Sequence, residues 1–86
     1  MKQLEKILKA LANKRRLAIL QYLKNNREEP VGIIARAINL SFKATSKHLS
    51  ILFAADIVDK EQRSLQIYYS LSKTIHPLAK QVMHLL

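Results

Sequence analysis

The sequence predicts a mainly helical domain with one small β-hairpin near its carboxyl end. Apolar residues recur at helical spacing through most of the chain, and only one Gly and two Pro interrupt 86 residues. Residues 65–71 differ, because apolar and polar side chains alternate there as in a half-buried strand. A polar break at 39–41 separates two short helical patterns and predicts a sharp corner between them.

The composition is basic and contains no cysteine. Fifteen Lys plus Arg against six acidic residues give a formal net charge of +9, which favours a polyanionic partner, nucleic acid first and an anionic membrane surface second. The absence of Cys excludes disulfides, thiolate metal sites and thiol redox sensing. No apolar run reaches the roughly 18 residues of a membrane span, and residues 1–16 lack the apolar core of a secretion signal. We therefore expect a soluble cytoplasmic protein, and we expect no membrane among its partners because the last helix has only Lys73 and Lys80 as fixed cations.

The first two helices are predicted from their apolar stripes. The first, over 2–11, has its stripe at Leu4, Ile7, Leu8 and Leu11. This stripe covers either the core of its own domain or, in part, a second subunit. Asn13 is typical of an N-cap for a second helix from 14 to about 24. The basic residues 14–16 in its first turn oppose the helix dipole, so they either contact phosphate or form a solvated cluster.

Residues 31–52 contain the predicted corner. Ile34, Ala35 and Ile38 form the inner side of a third helix. Asn39 tolerates the left-handed conformation that a corner needs, and Ser41 is a good N-cap for a fourth helix. The fourth helix has its inner side at Thr45, Leu49 and Leu52. Its outer side is polar, basic and free of acids.

The remaining residues predict the hairpin and a last helix. The buried side of the strand at 65–71 is expected to hold Leu65, Ile67, Tyr69 and Leu71. Residues 57–61 would pair with it, which leaves 62–64 near the tip. Ser72 or Thr74 is expected to cap the last helix, whose apolar face is broad enough to meet a partner surface.

In this order of elements the chain resembles an ArsR/SmtB-type bacterial transcriptional regulator. The resemblance is carried by LKALANKRRLAIL at 8–20, VGIIARAINLSFKATSKHLSILFAADIV at 31–58 and IYYSL at 67–71. It implies a winged helix-turn-helix fold and a homodimer, joined through its first and last helices, that represses a promoter until an effector alters it. We therefore expect a single domain over 1–86 that binds a near-palindromic operator in double-stranded DNA, associated with the nucleoid.

Helix-turn-helix geometry brings the start and the outer face of the second helix of the motif against base edges and phosphates. The predicted DNA contacts are Ser41, Phe42, Lys43, Ser46, Lys47 and Ser50, with Arg63 of the wing as a phosphate contact. Phe42 departs from the polar residue usual in the resembled family, and it either touches a thymine methyl group or packs beside the turn. The predicted dimer contacts are Leu4, Ile7, Leu8, Leu78, Val82 and Leu85.

Metal binding and catalysis find little support. The cysteines of soft-metal sensors in the resembled family would fall at Pro30 and Gly32. His76 and His84 are about 12 Å apart along a helix, too far for one ion within a chain. The sequence has no Gly-rich phosphate loop and no converging pair of acids, so we expect no enzyme and no cofactor. His48 is expected to be structural or to contact phosphate.

A second hypothesis is a winged-helix interaction module that uses its apolar terminal helices to join a larger protein complex. Its positive charge would then serve solubility or weak contact with nucleic acid. The sequence identifies no effector, and neither the operator nor the regulated genes follow from it.

Overall fold

The computed structural model describes residues 1–86 and contains five helices and three strands. The helices are α1 (Lys2–Leu11), α2 (Lys14–Asn25), α3 (Val31–Ala37), α4 (Phe42–Ala54) and α5 (Pro77–His84), and the strands are β1 (Glu29–Pro30), β2 (Val58–Arg63) and β3 (Gln66–Leu71). The strands form one antiparallel sheet in the order β1-β3-β2. The predicted winged helix-turn-helix is confirmed, with α3 and α4 as its motif and β2 and β3 as its wing. None of the helices combines the length and apolar character needed to cross a bilayer.

One hydrophobic core joins the five helices to the base of the wing. Ile34 of α3 and Leu49 and Leu52 of α4 are completely enclosed, as are Ile19 and Leu20 of α2. Burial of each such side chain contributes roughly 1.5–3 kcal/mol. The predicted inner sides of α3 and α4 are therefore confirmed, and the core orients α4 with its opposite side in solvent.

Local hydrogen bonds begin α2 and α4 as the sequence predicts. The Asn13 side-chain oxygen accepts hydrogen bonds from the backbone N–H groups of Arg15 and Arg16 at 2.9 and 3.1 Å. Ser41 Oγ accepts one from the backbone N–H of Ala44 at 3.1 Å. Asn39 adopts a left-handed φ of 56° at the corner between α3 and α4. The Ser41 cap fixes the end of α4 that carries most of the predicted DNA contacts.

The wing differs from its predicted form in where the turn lies. Strand β2 continues to Arg63, and the turn is formed by Ser64, with φ 58°, and Leu65. Leu65 is consequently 97% exposed, and Ile67 is 38% exposed. Tyr69, nearer the base, is buried. Alternation shows which side of a strand a residue faces, but the core extends under only the base of this hairpin.

Two further features were not predicted. The residues before α3 form the short edge strand β1, which pairs Glu29 with Tyr69 and Pro30 with Tyr68. Proline is tolerated at a sheet edge.

The cap expected at Ser72 or Thr74 is wrong, because α5 begins only at Pro77. His76 caps it instead, accepting the backbone N–H of Leu78 on Nδ1 at 3.0 Å.

Thr45 gives a stability prediction, because its hydroxyl is completely buried in α4 without a hydrogen-bond partner. An unpaired buried polar group costs roughly 1–3 kcal/mol. We expect Thr45→Val, which keeps the branched shape, to raise the free energy of unfolding by about 1 kcal/mol in urea denaturation. Thr45→Ala is the control, since it removes the same hydroxyl but also leaves a cavity that destabilises the core. A valine variant less stable than the parent protein would contradict the assignment.

Candidate nucleic-acid interface

The outer side of α4 is an exposed surface that carries positive charge and no acidic residue. Phe42, Lys43, Lys47 and Ser50 are exposed, and Ser46 is half-buried. Ser41, the N-cap, is also exposed. The structure thus brings all six predicted contacts of the motif to one exposed end and side of α4. Whether they touch DNA stays a prediction.

The polar groups of this surface differ in whether their charges and hydrogen-bond donors are already paired within the chain. Neither Lys43 nor Lys47 is paired with a carboxylate, since the ion pairs of the chain lie in α1 and at the wing. Ser50 Oγ donates to the Ser46 carbonyl at 3.0 Å, so its hydrogen is used within the helix. Ser41 Oγ accepts from the helix and keeps its own hydrogen for an outside acceptor. The lysines, Ser41 and Ser46 therefore keep donors that are not used within the chain, whereas the hydroxyl hydrogen of Ser50 is used.

Arg16 of α2 connects α4 to α1 through hydrogen bonds. Its Nε donates to the Ala10 carbonyl at 2.6 Å and its Nη2 donates to the Lys9 carbonyl at 3.0 Å, at the carboxyl end of α1. Its Nη1 lies 3.2 Å from Nδ1 of His48 on α4. One guanidinium thus joins α1, α2 and α4. The sequence pointed to the basic residues 14–16 as a group, but it did not show that the Arg16 side chain is hydrogen-bonded to other helices of its own chain.

His48 is predicted to make stability depend on pH. Because Arg16 can only donate, His48 accepts on Nδ1 as a neutral ring. Burial first, and then the charges of Arg16, Arg15 and Lys47, lower the pKa of His48. The unfolded chain therefore binds more protons below the ordinary histidine pKa of about 6.5, so stability is retained above that pH and lost as pH falls toward the folded-state pKa.

The measurement is urea denaturation between pH 5 and 7.5 for the parent protein and for His48→Gln. The glutamine side-chain oxygen can accept from Arg16 but does not titrate in this range. We expect the slope of unfolding free energy against pH to be smaller in the variant. Identical slopes in the two proteins would show that His48 is not the group responsible.

Arg63 lies at the end of β2 and its guanidinium turns back toward the loop before β1. Its Nη1 and Nη2 each lie 2.8 Å from a carboxylate oxygen of Glu28, and Nη2 is also 2.8 Å from Glu61. The guanidinium also stands 4.7 Å from the ring centre of Tyr68. The hydrogen bonds to the two carboxylates raise the pKa of Arg63. The predicted phosphate contact at Arg63 stays a prediction, and a phosphate there would compete with the carboxylates of Glu28 and Glu61.

The wing as a whole carries no excess of positive charge. Lys60 and Arg63 are balanced by Asp59 and Glu61 along β2. Sequence reasoning missed the contact of Arg63 with Glu28, because no local pattern joins residues 28 and 63. The strand order β1-β3-β2 brings them together.

An open groove of about 260 Å³ lies between the start of α3, the start of α4 and the wing. Its lining includes Phe42 from α4 and Leu65 and Ile67 from the wing. Phe42 is 63% exposed. The protein therefore presents apolar as well as basic surface beside the outer face of α4.

The predicted dimer contacts on α1 and α5 include several exposed apolar side chains. Leu8 and Leu85 are 49% and 84% exposed, and the half-buried members are Leu4, Leu78 and Val82. Ile7 has to be removed from that set, because it is 1% exposed and packs in the core of its own chain. The remaining residues are available to a partner.

Lys24 on α2 holds α5 in place, which the sequence did not indicate. Its Nζ donates to the carbonyl oxygens of Met83 and Leu86 at 3.0 and 2.9 Å. A cation at this end of a helix also complements its dipole.

His76 and His84 lie at opposite ends of α5, and no group of three or more His, Asp or Glu side chains is placed to hold a metal ion.

These features define a winged helix-turn-helix protein with a basic helix-turn-helix surface. Residues 13–60 match the bacterial regulatory protein arsR family, and the chain belongs to that family. It is 36% identical over 78 residues to the transcriptional activator HlyU of Vibrio cholerae, covering 91% of this chain and 71% of HlyU. It is 35% identical over 69 residues to the transcriptional repressor SdpR of Bacillus subtilis, covering 80% of this chain and 76% of SdpR.

A solved structure shows the same architecture. The homodimeric winged helix-turn-helix DNA-binding domain of Mb0332 from Mycobacterium bovis superposes with a TM-score of 0.82 and is 28% identical, with 98% of this chain and 74% of that chain covered. The family and these relatives are regulators of transcription. This chain is accordingly a DNA-binding transcription regulator and not an enzyme.

Proposed function

We propose that the protein is a homodimeric repressor that binds a near-palindromic operator in double-stranded DNA. The observation that carries the proposal is the outer face of α4, which is exposed, basic and free of acids. Residues 1–86 would act as one DNA-binding domain in the cytoplasm, associated with the nucleoid. Among the relatives, SdpR is a repressor and HlyU an activator. Repression is favoured because a bound dimer can block a promoter without a further contact.

In the proposed complex the start of α4 enters the major groove. Lys43 and Lys47 donate to guanine O6 and N7 or to phosphate, and the serines contact phosphates or base edges. The formal net charge of +9 supports binding at long range. The logarithm of the affinity should fall by ~0.9 per decade of salt for each phosphate neutralised. Arg63 is proposed as a weaker contact, since the carboxylates of Glu28 and Glu61 already offset much of its charge.

The proposed dimer joins the apolar surfaces of α1 and α5. Support comes from the exposure of Leu8 and Leu85, from the bond between Lys24 and the end of α5, and from the homodimeric Mb0332 domain. A twofold axis through this surface would set one α4 helix from each subunit in successive major grooves. The half-sites would then be about 34–36 Å apart.

The second candidate function is a protein-interaction module, and the exposed leucines of the terminal helices favour it. Sedimentation of the purified chain separates the two functions. A stable dimer supports the DNA-binding repressor, whereas a monomer would leave the apolar surface free for a different protein. The proposed function includes no effector.

The experiment that tests the repressor is selection of bound sequences from random double-stranded DNA, followed by footprinting. We expect the selected sequences to share a dyad whose half-sites are one helical turn apart, protected on one face of the duplex. Recovery of DNA without any enriched sequence would contradict a sequence-specific regulator. An enriched sequence without a dyad would contradict the symmetric dimer alone.

A further inference from the structure

Phe42 occupies an unusual place for an aromatic side chain. It is the first residue of α4, the end of a recognition helix that approaches base edges most closely. It is 63% exposed. A ring that packed only beside the helix-turn-helix corner would be covered by its own chain, and this ring leaves most of its surface in solvent.

The other phenylalanine of α4 shows the difference. Phe53 lies near the opposite end of the helix, is 39% exposed, and has Nζ of Lys60 at 4.4 Å from its ring centre. The fold thus supplies Phe53 with a partner of its own. Phe42 has no cation over its ring, and the groove beside it is open and lined by Leu65 and Ile67 of the wing.

The neighbours of Phe42 restrict what can cover it. Lys43 follows it directly and Lys47 lies one turn further along the same exposed side. An apolar ring beside two unpaired cations fits a partner that is polyanionic overall but carries an apolar group within reach. In the major groove of DNA that group is the C5 methyl of thymine, which phenylalanine can contact.

We propose that Phe42 reads thymine by packing its ring against the C5 methyl group at one base pair of each half-site. This inference rests on the proposed DNA-binding function and adds the base that the operator must contain. Lys43 and Lys47 hold the duplex through polar contacts, and the ring adds a preference that they cannot supply, because a lysine does not distinguish a methyl group from hydrogen.

The test replaces thymine by uracil, one position at a time, in an operator obtained by selection. Uracil pairs as thymine does and lacks only the methyl group. Binding is measured by fluorescence anisotropy for the parent protein, for Phe42→Ala and for Phe53→Ala. We expect uracil at one position to weaken binding of the parent protein about fourfold, and uracil in both half-sites about 15-fold, because each replacement removes one buried methyl group.

Phe42→Ala should bind thymine and uracil operators equally, because the ring that packs on the methyl group is absent. Phe53→Ala, the same change at the other end of the helix, should keep the full preference for thymine. Thermal unfolding of each variant shows that the fold is intact. These two variants separate a base contact from a general loss of apolar surface.

A parent protein that binds the operator with equal affinity at every uracil position would overturn the thymine contact and leave the DNA-binding function standing. Sensitivity to uracil that survives in Phe42→Ala would assign the methyl contact to another residue and overturn the role of Phe42. Failure to obtain any bound sequence would overturn both this inference and the proposed function.

Discussion

Replacing Lys43 and Lys47 together by Ala is expected to lower operator affinity about 1,000-fold. The two substitutions remove two unpaired cations from each α4 helix, and a weakening of ~1 kcal/mol per cation over a dimer gives this factor. Both side chains are exposed on the outer face of α4, with no carboxylate partner. Their removal therefore leaves the core unchanged, and gel-shift titration of the correctly folded variant measures binding alone.

The salt dependence of the same titration shows what the lysines bind. If they neutralise phosphates, the slope of log K against log salt should become shallower by ~0.9 for each phosphate that is no longer neutralised. If they donate to guanine, affinity should fall while the slope changes less. Lys43 and Lys47 can differ in this respect, so the single variants are measured beside the double one.

A matched control removes the same charge from elsewhere. Lys2 and Lys73 are exposed, lie outside α4 and have no ion pair. We expect their joint replacement by Ala to lower affinity less than about tenfold through the weaker general field. Equal decreases in affinity for the two double variants would mean that total charge, and not the face of α4, determines binding.

Replacing Leu8 and Leu85 together by Glu is expected to convert the proposed homodimer to a monomer. Both side chains are substantially exposed in the single chain, so a charge at either position does not disturb the chain's own core. In the dimer each carboxylate would be buried without a partner, at a cost of several kcal/mol per ion. The dissociation constant of the dimer should rise at least about 100-fold.

Sedimentation equilibrium measures this change, and far-UV circular dichroism confirms that the helices remain. The affinity for the operator should fall when the dimer is lost, because a monomer contacts only one half-site. Leu65→Glu serves as the control in sedimentation, since Leu65 is 97% exposed at the wing turn and lies outside α1 and α5. A double variant that still sediments as a dimer would place the interface on another surface.

Much of the α-helical part of this protein could be predicted from the sequence. The inner sides of α3 and α4, the caps at Asn13 and Ser41 and the left-handed Asn39 all follow from spacing or from the chemistry of one side chain. These features depend on residues a few positions apart, and such residues meet in any helix. The exposed basic face of α4 followed from the same pattern.

The wing and the side-chain contacts between elements could not be predicted in this way. Alternation placed Leu65 on a buried face, but the core ends before it and the residue lies in the turn. Strand β1 forms only because β3 is beside it. The partners of Arg63 depend on that sheet, since Glu28 and Arg63 are distant in the chain.

Local sequence patterns were sufficient to define the first four helices, the corner between α3 and α4, and the two sides of α4, because periodic burial and capping are local. The assembled fold was needed to show that Arg16 is bound inside the protein, that Arg63 is shared between two carboxylates, and that Phe42 is left uncovered. Whether a charged or aromatic side chain is free depends on neighbours that the fold brings from elsewhere in the chain. That freedom separates Lys43 and Lys47 from the cations of this basic sequence that the protein uses internally.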